Sequence, residues 1–326
     1  MKIGVHLGHW EREPPDFVGL ARAAESLGYD SVWVSETWGS DAVVLATAIA
    51  AGTERIGVGT GIAQIPGRTP TMAAMSALTI DHLSGGRFRL GLGVSGPQVV
   101  EGWLGQTFDD PLGRTREYVD IVRAVLERKE PVTAPGPHYP LPVGAGRPLV
   151  TNVRPLRADL PIYLAAMGPR NVALAAEIAD GWLPLFFDPE HVDAFELPAL
   201  PEGFDVAPMV RIAIDEDIGR ARDAVRPIIA LYVGSYGSQR VNFYRDLVNR
   251  FGFEDAARAI QDAALEGRRD DATAAVPDAL VDAVALVGPP EAVRDRLAAY
   301  ADAGVTTLLA HTKDPEQIRA LAEIAL

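Results

Sequence analysis

Residues 56–97 read IGVGTGIAQIPGRTPTMAAMSALTIDHLSGGRFRLGLGVSGP, and this stretch decides the predicted fold. Glycine recurs at every second residue in two short runs, 56–62 and 89–94, between β-branched residues and leucine. Because side chains alternate faces along a strand, each run predicts a strand with one face nearly bare of side chains. Thr69 as N-cap and Gly85 as the stop predict a helix between them. The stretch is therefore predicted to be a β-α-β unit.

Two neighbouring glycine faces need a physical reason, because glycine weakens a strand. Either helices pack closely on the sheet, or another backbone or a flat ligand lies there. Both runs end in segments rich in glycine and proline, at 61–70 and 95–97. Parallel α/β folds place their binding sites at the carboxyl ends of strands. We therefore expect a flat ligand to lie against the glycine faces.

The composition narrows the class of protein. The chain has 326 residues, of which 48% are apolar, so it can bury a large core. It has no apolar run of membrane-spanning length, and it begins MKIGVHLG, which predicts a strand. We expect a soluble, cytoplasmic protein that does not act at a membrane. The net charge of −14 argues against a nucleic-acid partner.

The chain has no cysteine, which excludes disulfides, thiolate catalysis and iron–sulfur clusters. Its six histidines are scattered without the paired spacing of metal ligands, so we predict no metal site.

Strands alternate with helices along the whole chain. The strands are predicted at 2–7, 31–35, 56–62, 89–94, 161–166, 182–186, 206–214 and 305–311. With right-handed crossovers, eight such units predict one TIM (β/α)8 barrel domain over residues 1–326. Two segments exceed what a barrel needs and are predicted to be insertions, 131–160 after strand four and 218–284 after strand seven.

A dinucleotide-binding motif is one alternative for residues 91–96, since GLGVSG fits G-x-G-x-x-G after a strand. That motif normally follows the first strand and opens directly into a helix. Here it follows the fourth strand, and we predict a loop from Pro97 to Gly105. The context therefore favours a different use of these glycines.

A phosphate site is predicted at residues 166–170, which read AMGPR. A strand ends there, Gly168 permits a close backbone approach, and Pro169 starts a helix whose N-terminal amides attract anions. Arg170 adds a positive charge in the first turn. The alternative is an ordinary strand-to-helix turn, because Gly-Pro is common at such places.

Two ionisable side chains are candidates for proton transfer. Glu36 ends the second predicted strand, where a carboxylate could exchange a proton with a ring system or a substrate. Asp41, just after it, is more simply explained as an acid at a helix N-terminus. His6 ends the first strand and could titrate in a site, although lone histidines are more often satisfied core residues, and His9 is a weaker candidate.

Three tryptophans follow predicted strands, Trp10, Trp38 and Trp103. Together they suit an apolar wall over a flat aromatic cofactor. Each could also simply cover the end of the barrel.

With these residues, the chain resembles the luciferase-like monooxygenase superfamily. It resembles more closely the branch that uses the deazaflavin coenzyme F420, which includes the methylenetetrahydromethanopterin reductase-like proteins. The matching runs are SVWVSE at 31–36, GTGI at 59–62, RTP at 68–70, DHLSGGRF at 81–88, GLG at 91–93, AAMGP at 165–169 and ADGWLP at 179–184. The resemblance implies a homodimer of TIM barrels. It also implies a tricyclic ring at the carboxyl mouth of each barrel.

The resemblance further implies where the cofactor is held. A non-proline cis peptide, here Gly61–Ile62, would back the ring, and its phosphate would lie over the 166–170 turn. Arg68 and Arg170 are candidates for the carboxylates of its tail. The residues predicted to bind the cofactor are Gly61, Ile62, Ala63, Arg68, Gly93, Val94, Ser95, Gly96, Ala166, Met167, Gly168, Pro169 and Arg170. Glu36 and His6 are the predicted catalytic residues.

This chain departs from members that oxidise sugar phosphates. They carry Asp-His where it has Glu36-Thr37, and the glutamate they carry after strand four is replaced here around Ser95-Gly96. We therefore predict an oxidoreductase that transfers a hydride between F420 and an unidentified small organic substrate. The alternatives are an FMN-dependent monooxygenase of the same superfamily and a catalytically silent flavin-binding relative.

Overall fold

The computed structural model describes residues 1–10, 12–236 and 242–326. Its centre is a parallel sheet. The strands are β1 (Lys2–Gly8), β2 (Ser31–Val34), β3 (Gly57–Thr60), β4 (Ala63–Gln64), β5 (Phe88–Gly93), β6 (Ile162–Leu164), β7 (Gly181–Trp182), β8 (Asp205–Val206), β9 (Met209–Ile214), β10 (Ala285–Gly288) and β11 (Thr307–His311).

Helices connect most of these strands and surround the sheet. They are α1 (Phe17–Leu27), α2 (Ala42–Gly52), α3 (Pro70–Ser84), α4 (Pro97–Gly102), α5 (Pro111–Glu127), α6 (Pro169–Ile178), α7 (Ile218–Ser235), α8 (Phe243–Arg250), α9 (Glu254–Leu265), α10 (Arg269–Ala274), α11 (Asp278–Val284), α12 (Pro290–Asp302) and α13 (Pro315–Ala325). None of the helices in the described ranges is both long and apolar enough to cross a membrane.

The sheet curls back on itself, because the chain at 205–214 pairs with β7 through β8 and with β11 through β9. Its strand order is β10-β9-β11-β1-β2-β3-β5-β6-β7-β8, with β4 paired to β5. Only Ala207 and Pro208 separate β8 from β9. The Ala207 amide donates to the Trp182 carbonyl at 2.8 Å, and the Pro208 carbonyl accepts from Leu309 at 2.9 Å. The α/β fold is thus a curled parallel sheet around a common interior, with helices outside.

The central β-α-β unit forms as predicted. Thr69 caps α3 by accepting from the Met72 amide, and Pro70 is the first residue of the helix. Gly85 ends the helix in the left-handed conformation, at φ 66°. Its backbone amide donates to the carbonyls of Asp81 and His82 in the last turn. These local features depend on neighbours in sequence, which is why the pattern predicted them.

Inside the curled sheet, large side chains pack against the glycine faces of β3 and β5. The buried interior residues include Trp33, whose indole is fully buried, and Leu183. A Cβ at Gly59 would lie 2.3 Å from the Trp33 ring. One at Gly91 would lie 1.8 Å from the Thr60 carbonyl oxygen and 2.9 Å from Leu183. The expectation that a flat ligand lies against these faces is therefore wrong at Gly59 and Gly91, because the sheet itself fills the space there.

Several predicted elements differ from those observed. Predicted strand seven, 206–214, is interrupted at Pro208, which has no amide hydrogen to donate. Strand six is only Gly181–Trp182. A short helix, α4, begins at Pro97 where we predicted a loop, since Gly96-Pro97 starts a helix as well as it starts a turn. Strand β10 follows α11 directly, and its four residues were too few to predict.

The two predicted insertions have different structures. Between α5 and β6 the chain forms neither helix nor ladder strand, apart from a bridge between Ala134 and Leu141. Arg157 fastens this segment to α3 by donating to the buried Asp81 carboxylate at 2.8 Å. Residues 218–284 contain the five helices α7 to α11, and the part at 237–241 lies outside the described residues.

Candidate active site

Two histidines and a backbone carbonyl meet at the carboxyl ends of β1, β3 and β11. The His6 Nε2 atom lies 2.7 Å from the Gly61 carbonyl oxygen. The His6 Nδ1 atom lies 3.0 Å from Nδ1 of His311. The two rings meet edge to face with their centroids 4.6 Å apart. His6 was predicted here, whereas His311 was not.

Both histidines are uncharged at neutral pH. Burial lowers the pKa of His6 to about 3, although its hydrogen bond to the Gly61 carbonyl acts in the opposite direction. Burial also lowers the pKa of His311 well below its ordinary value. The nearby positive charge of Arg211 adds to both effects. His6 therefore contacts the site as a neutral, buried ring.

The chain turns sharply after β3. The Gly61–Ile62 peptide bond is cis, as predicted. The Gly61 amide donates to the Val34 carbonyl at 2.7 Å, and β4 then pairs Ala63 with Leu92 of β5. Ile62 lies against Gly93, where a Cβ would come within 2.9 Å of its side chain. The predicted residues Gly61, Ile62, Ala63 and Gly93 are thus brought together.

Glu36 and Arg68, which were predicted to have separate roles, bind each other. The Arg68 guanidinium donates to both carboxylate oxygens of Glu36, at 2.7 and 3.0 Å, and to Asp41 at 3.1 Å. The backbone amide of Gln64 donates to the Glu36 carboxylate at 2.8 Å. The Glu36 and Arg68 side chains are only 10% and 15% exposed. This arrangement fastens the turn after β3 to the end of β2.

Two cavities lie at the carboxyl ends of β5 and β6 and share Val94 and Ile65. One is lined by Gly93, Val94, Ala165, Asn171 and residues of α5 and α6. The other extends towards Phe108 and Tyr139. Gly93 and Val94, both predicted cofactor residues, therefore line open space at this edge of the sheet.

Ser95 and Gly96 continue from the same strand. Ser95 adopts a left-handed conformation, at φ 61°, which is uncommon for a residue with a side chain. Gly96 is the N-cap of α4, and a Cβ there would meet no atom within 4 Å. The backbone at Gly96 is therefore open to a ligand, unlike that at Gly59 or Gly91.

The 166–170 turn is braced on both sides. The Ala166 carbonyl accepts from the Trp182 indole at 2.8 Å, and the Met167 carbonyl accepts from Arg250 at 2.9 Å. Gly168 is the N-cap of α6, which lacks a side-chain cap, and a Cβ there would meet nothing within 4 Å. Pro169 begins the helix, and Arg170 follows it with an exposed side chain. Arg250, which supplies a second positive charge at this turn, was not predicted.

An aromatic cluster was also missed by the sequence analysis. Tyr232, Tyr236 and Tyr244 contact one another with ring centroids 4.6 to 5.6 Å apart, and Phe186 contacts two of them. Trp38 stacks on Tyr236 at 6.3 Å. Tyr232 lies in the last turn of α7 and Tyr236 is the residue directly after the helix, and their spacing of four was the available signal.

Of the three tryptophans predicted to form a wall, only Trp38 belongs to this cluster. Trp10 and Trp103 lie in the loop after β1 and after α4, and both side chains are exposed. No group of three or more potential metal ligands occurs in the described part of the chain. The site thus combines neutral histidines, open backbone and a turn with Arg170 and Arg250, which suits an organic ligand carrying an anionic group.

The family model for luciferase-like monooxygenases matches residues 1–307, and the chain belongs to this family. The family predicted from the sequence is thereby confirmed. The chain is 44% identical, over 99% of both proteins, to a Mycobacterium tuberculosis protein provisionally named a coenzyme F420-dependent oxidoreductase. It is 29% identical to the 5,10-methylenetetrahydromethanopterin reductase of Archaeoglobus fulgidus, over 89% of this chain and 87% of the relative.

The fold also matches a solved structure. The coenzyme F420-dependent tetrahydromethanopterin reductase of Methanopyrus kandleri superposes with a TM-score of 0.82, over 99% of this chain and 97% of that chain, at 24% identity. This likeness confirms the TIM-barrel class of the curled sheet.

Proposed function

We propose that this protein is a coenzyme F420-dependent oxidoreductase, which transfers a hydride between the deazaflavin and a small organic substrate. The similarity over nearly the whole chain to a protein named for that cofactor supports the assignment. The structural observation that carries it is the meeting of three predicted segments at one edge of the sheet. Gly93 and Val94 line one pocket together with Ala165 and Asn171, the residues on either side of the 166–170 turn. Ile62 lies against Gly93, and Ala63 pairs with the neighbouring Leu92.

The 166–170 turn fits the phosphate of such a cofactor. Helix α6 presents amide groups without a side-chain cap, and its N-terminus attracts anions through its dipole. Arg170 and Arg250 place positive charge there in a protein of net charge −14. No carboxylate pairs with Arg170 within the described ranges. We assign the anionic parts of the cofactor to these two arginines.

The protein's own residues hold and shape the site. When bound, F420 supplies the ring that accepts or donates the hydride. The cis turn at Gly61–Ile62 and the open backbone at Gly96 would support that ring. The ion pair with Glu36 and Asp41 neutralises Arg68, so we now propose that Glu36 and Arg68 position the turn after β3. His6 contacts the site through the Gly61 carbonyl.

Titration of the apoprotein with F420 and, separately, with FMN tests the assignment. We expect tight binding of F420 and weaker binding of FMN. Preferential binding of FMN would replace the proposal by a flavin monooxygenase. F420 binding without reduction of any member of a panel of enones, imines and alcohols would favour the silent relative.

A matched pair of variants localises the phosphate. Arg170→Gln should weaken F420 binding about tenfold to a hundredfold, because a hydrogen bond to a charged group contributes about 1.5 to 3 kcal/mol. Arg319→Gln, at an exposed arginine on α13, should leave the affinity unchanged. Equal affinities for both variants would move the phosphate away from this turn.

We further propose that residues 1–326 are one domain that forms a homodimer, with the 131–160 and 218–284 segments as insertions that shape the substrate pocket. The uncharged exposed surface of α2 and α3 supports the dimer. The cytoplasmic location inferred from the sequence stays a prediction.

A further inference from the structure

His311 lies beside His6 because their strands are neighbours in register. β1 and β11 are parallel, and residues 6 and 311 are directly paired. Side chains at paired positions of neighbouring strands point to the same face. Both imidazoles therefore enter the interior together, and each can use only partners that lie there.

We propose that His311 is a positioning residue of the site, which donates from Nδ1 to Nδ1 of His6 and thereby fixes the His6 ring that supports the Gly61 carbonyl. The inference rests on the proposed function for the identity of the ligand above Gly61. The hydrogen-bond geometry itself does not depend on any ligand.

The direction of both hydrogen bonds follows from the Gly61 carbonyl. A carbonyl oxygen accepts only, so Nε2 of His6 must carry the hydrogen at this 2.7 Å contact. A neutral imidazole has one N–H, which leaves Nδ1 of His6 as an acceptor. At 3.0 Å, the matching donor is the Nδ1–H of His311. If His6 were protonated at Nδ1 instead, the lone pair of Nε2 would face a lone pair of the Gly61 carbonyl oxygen, and the contact would be repulsive.

The surroundings keep the pair neutral. The charged and titratable groups that act on it are Arg211 of β9, His9 after β1 and Lys313 after β11. Each of them disfavours a further positive charge on either ring. The pair is also buried, which disfavours charge independently. The two hydrogen bonds therefore keep one direction throughout the neutral pH range.

Without His311, the acceptor Nδ1 of His6 would be buried and unpaired. A buried acceptor that loses its donor costs more than the hydrogen bond itself contributed. The His6 ring would then rotate towards another donor, and its contact with Gly61 would weaken. This is how a residue that does not touch the ligand would influence the turn at residues 61–63.

The full chain labelled with ¹⁵N-histidine tests the arrangement by NMR spectroscopy. In the wild type we expect His6 to be protonated at Nε2 and His311 at Nδ1, with neither ring titrating between pH 5 and pH 8. We also expect the His6 Nε2–H to exchange slowly. A His6 ring protonated at Nδ1, or charged at neutral pH, would overturn the inference without any variant.

Two variants at one position separate positioning from simple packing. In His311→Asn the side-chain amide places an N–H close to where Nδ1 stood, so the slow His6 Nε2–H should persist. In His311→Leu the volume is retained but the donor is lost, so that signal should disappear. F420 affinity should fall about three- to tenfold in the leucine variant and stay near wild type in the asparagine variant.

The control is His82→Gln, since His82 is exposed on α3 and bonds the Arg154 carbonyl. It should change neither the His6 signals nor the affinity. Unchanged His6 signals in His311→Leu would contradict the inference. If that variant does not fold, the wild-type and asparagine spectra still decide the question. Failure of the wild type to bind F420 would instead refute the proposed function and leave the spectra as an independent test.

Discussion

Gly91 and Gly96 stand five residues apart in opposite surroundings. A Cβ at Gly91 would overlap the Thr60 carbonyl, a backbone atom that cannot move aside. Gly91→Ala should therefore lower the free energy of unfolding by about 3 kcal/mol, the upper part of the usual cost of overpacking. Urea denaturation followed by circular dichroism measures it. A variant as stable as the wild type would mean that β3 and β5 can separate.

Gly96→Ala is the matched change in open space. The backbone there, at φ −118°, suits any residue, and a Cβ would meet nothing within 4 Å. Stability should change by less than about 0.5 kcal/mol. F420 binding should weaken, because the methyl group would enter the space proposed for the cofactor. Unaltered affinity would place the cofactor elsewhere.

Glu36→Gln tests whether this carboxylate acts on the protein or on the substrate. Arg68 would keep Asp41 as a partner but lose its charge-assisted hydrogen bonds to Glu36, and a hydrogen bond to a charged group contributes about 1.5 to 3 kcal/mol. We expect a loss in that range, measured by denaturation. Glu54→Gln is the control, since Glu54 and Arg55 pair at 3.9 Å on the surface and should contribute under about 1 kcal/mol. Lost turnover with full stability would restore the predicted catalytic role of Glu36.

The sequence predicted the cofactor segments better than the partners that hold them. Residues 61–63, 93–96 and 166–170 were recognisable because each has a local pattern of glycine and proline. His311 is 305 positions from His6, and Arg250 is 83 from Met167. Such pairs can be predicted only when the register between distant strands and helices is known. The ion pair of Glu36 with Arg68 was missed for the same reason.

At the scale of elements, Glu25 joins α1 to the strand that follows α2. One of its carboxylate oxygens accepts from three successive backbone amides, those of Glu54, Arg55 and Ile56. Burial acts to raise the pKa of Glu25, but these amides hold it below its ordinary value of 4.5. This helix and strand are therefore fastened together by one ionised side chain.

Glu25→Gln should lower the free energy of unfolding by about 1 kcal/mol at neutral pH. Because the pKa is lower in the folded protein, the contribution is complete above about pH 4.5. It is lost as the pH falls through the lower folded value, so the two proteins should converge in acid. Denaturation curves between pH 7 and pH 3 measure this, with Glu101→Gln on α4 as control. A constant difference would exclude the ionised form as the cause.

Helices were predicted more accurately than strands. Helix α3 began and ended at its predicted caps, since those depend on neighbouring residues. Strands β7, β8 and β10 have two to four residues, fewer than a pattern of alternation needs. Their boundaries are set by pairing partners instead. The glycine faces were predicted correctly as strands. They were predicted wrongly as a ligand surface at Gly59 and Gly91, because sequence spacing does not reveal that Trp33 and the Thr60 carbonyl fill that space.

At the scale of the whole molecule, α2 and α3 form an uncharged surface on a strongly acidic protein. Neither helix has an exposed Asp, Glu, Lys or Arg, and Asp81 of α3 is buried. The exposed apolar side chains of this surface are Val44 on α2 and Met72, Met75 and Leu83 on α3. Two copies of charge −14 repel each other least where charge is absent. This surface is our proposed contact between two copies.

Met75→Glu should break that contact. Light scattering should give twice the chain mass of 34.8 kDa for the wild type and the single mass for the variant. Leu265→Glu, at an exposed apolar position on α9, is the control and should stay dimeric. A monomeric wild type would refute the dimer, and a dimeric Met75→Glu would move the contact to another face.

The pairing of β9 with β10 has a consequence for protein engineering. The two strands are parallel over Arg211–Ile214 and Ala285–Gly288, and residues 215–284 join them. A parallel pair needs a connection of only a dozen or so residues, so this ladder does not dictate the length of what lies between. The segment with the five helices is therefore a replaceable cassette, whose two ends are fixed by the pairing of β9 with β10. A chimaera carrying the corresponding cassette of a relative should therefore fold on the same barrel while accepting different substrates.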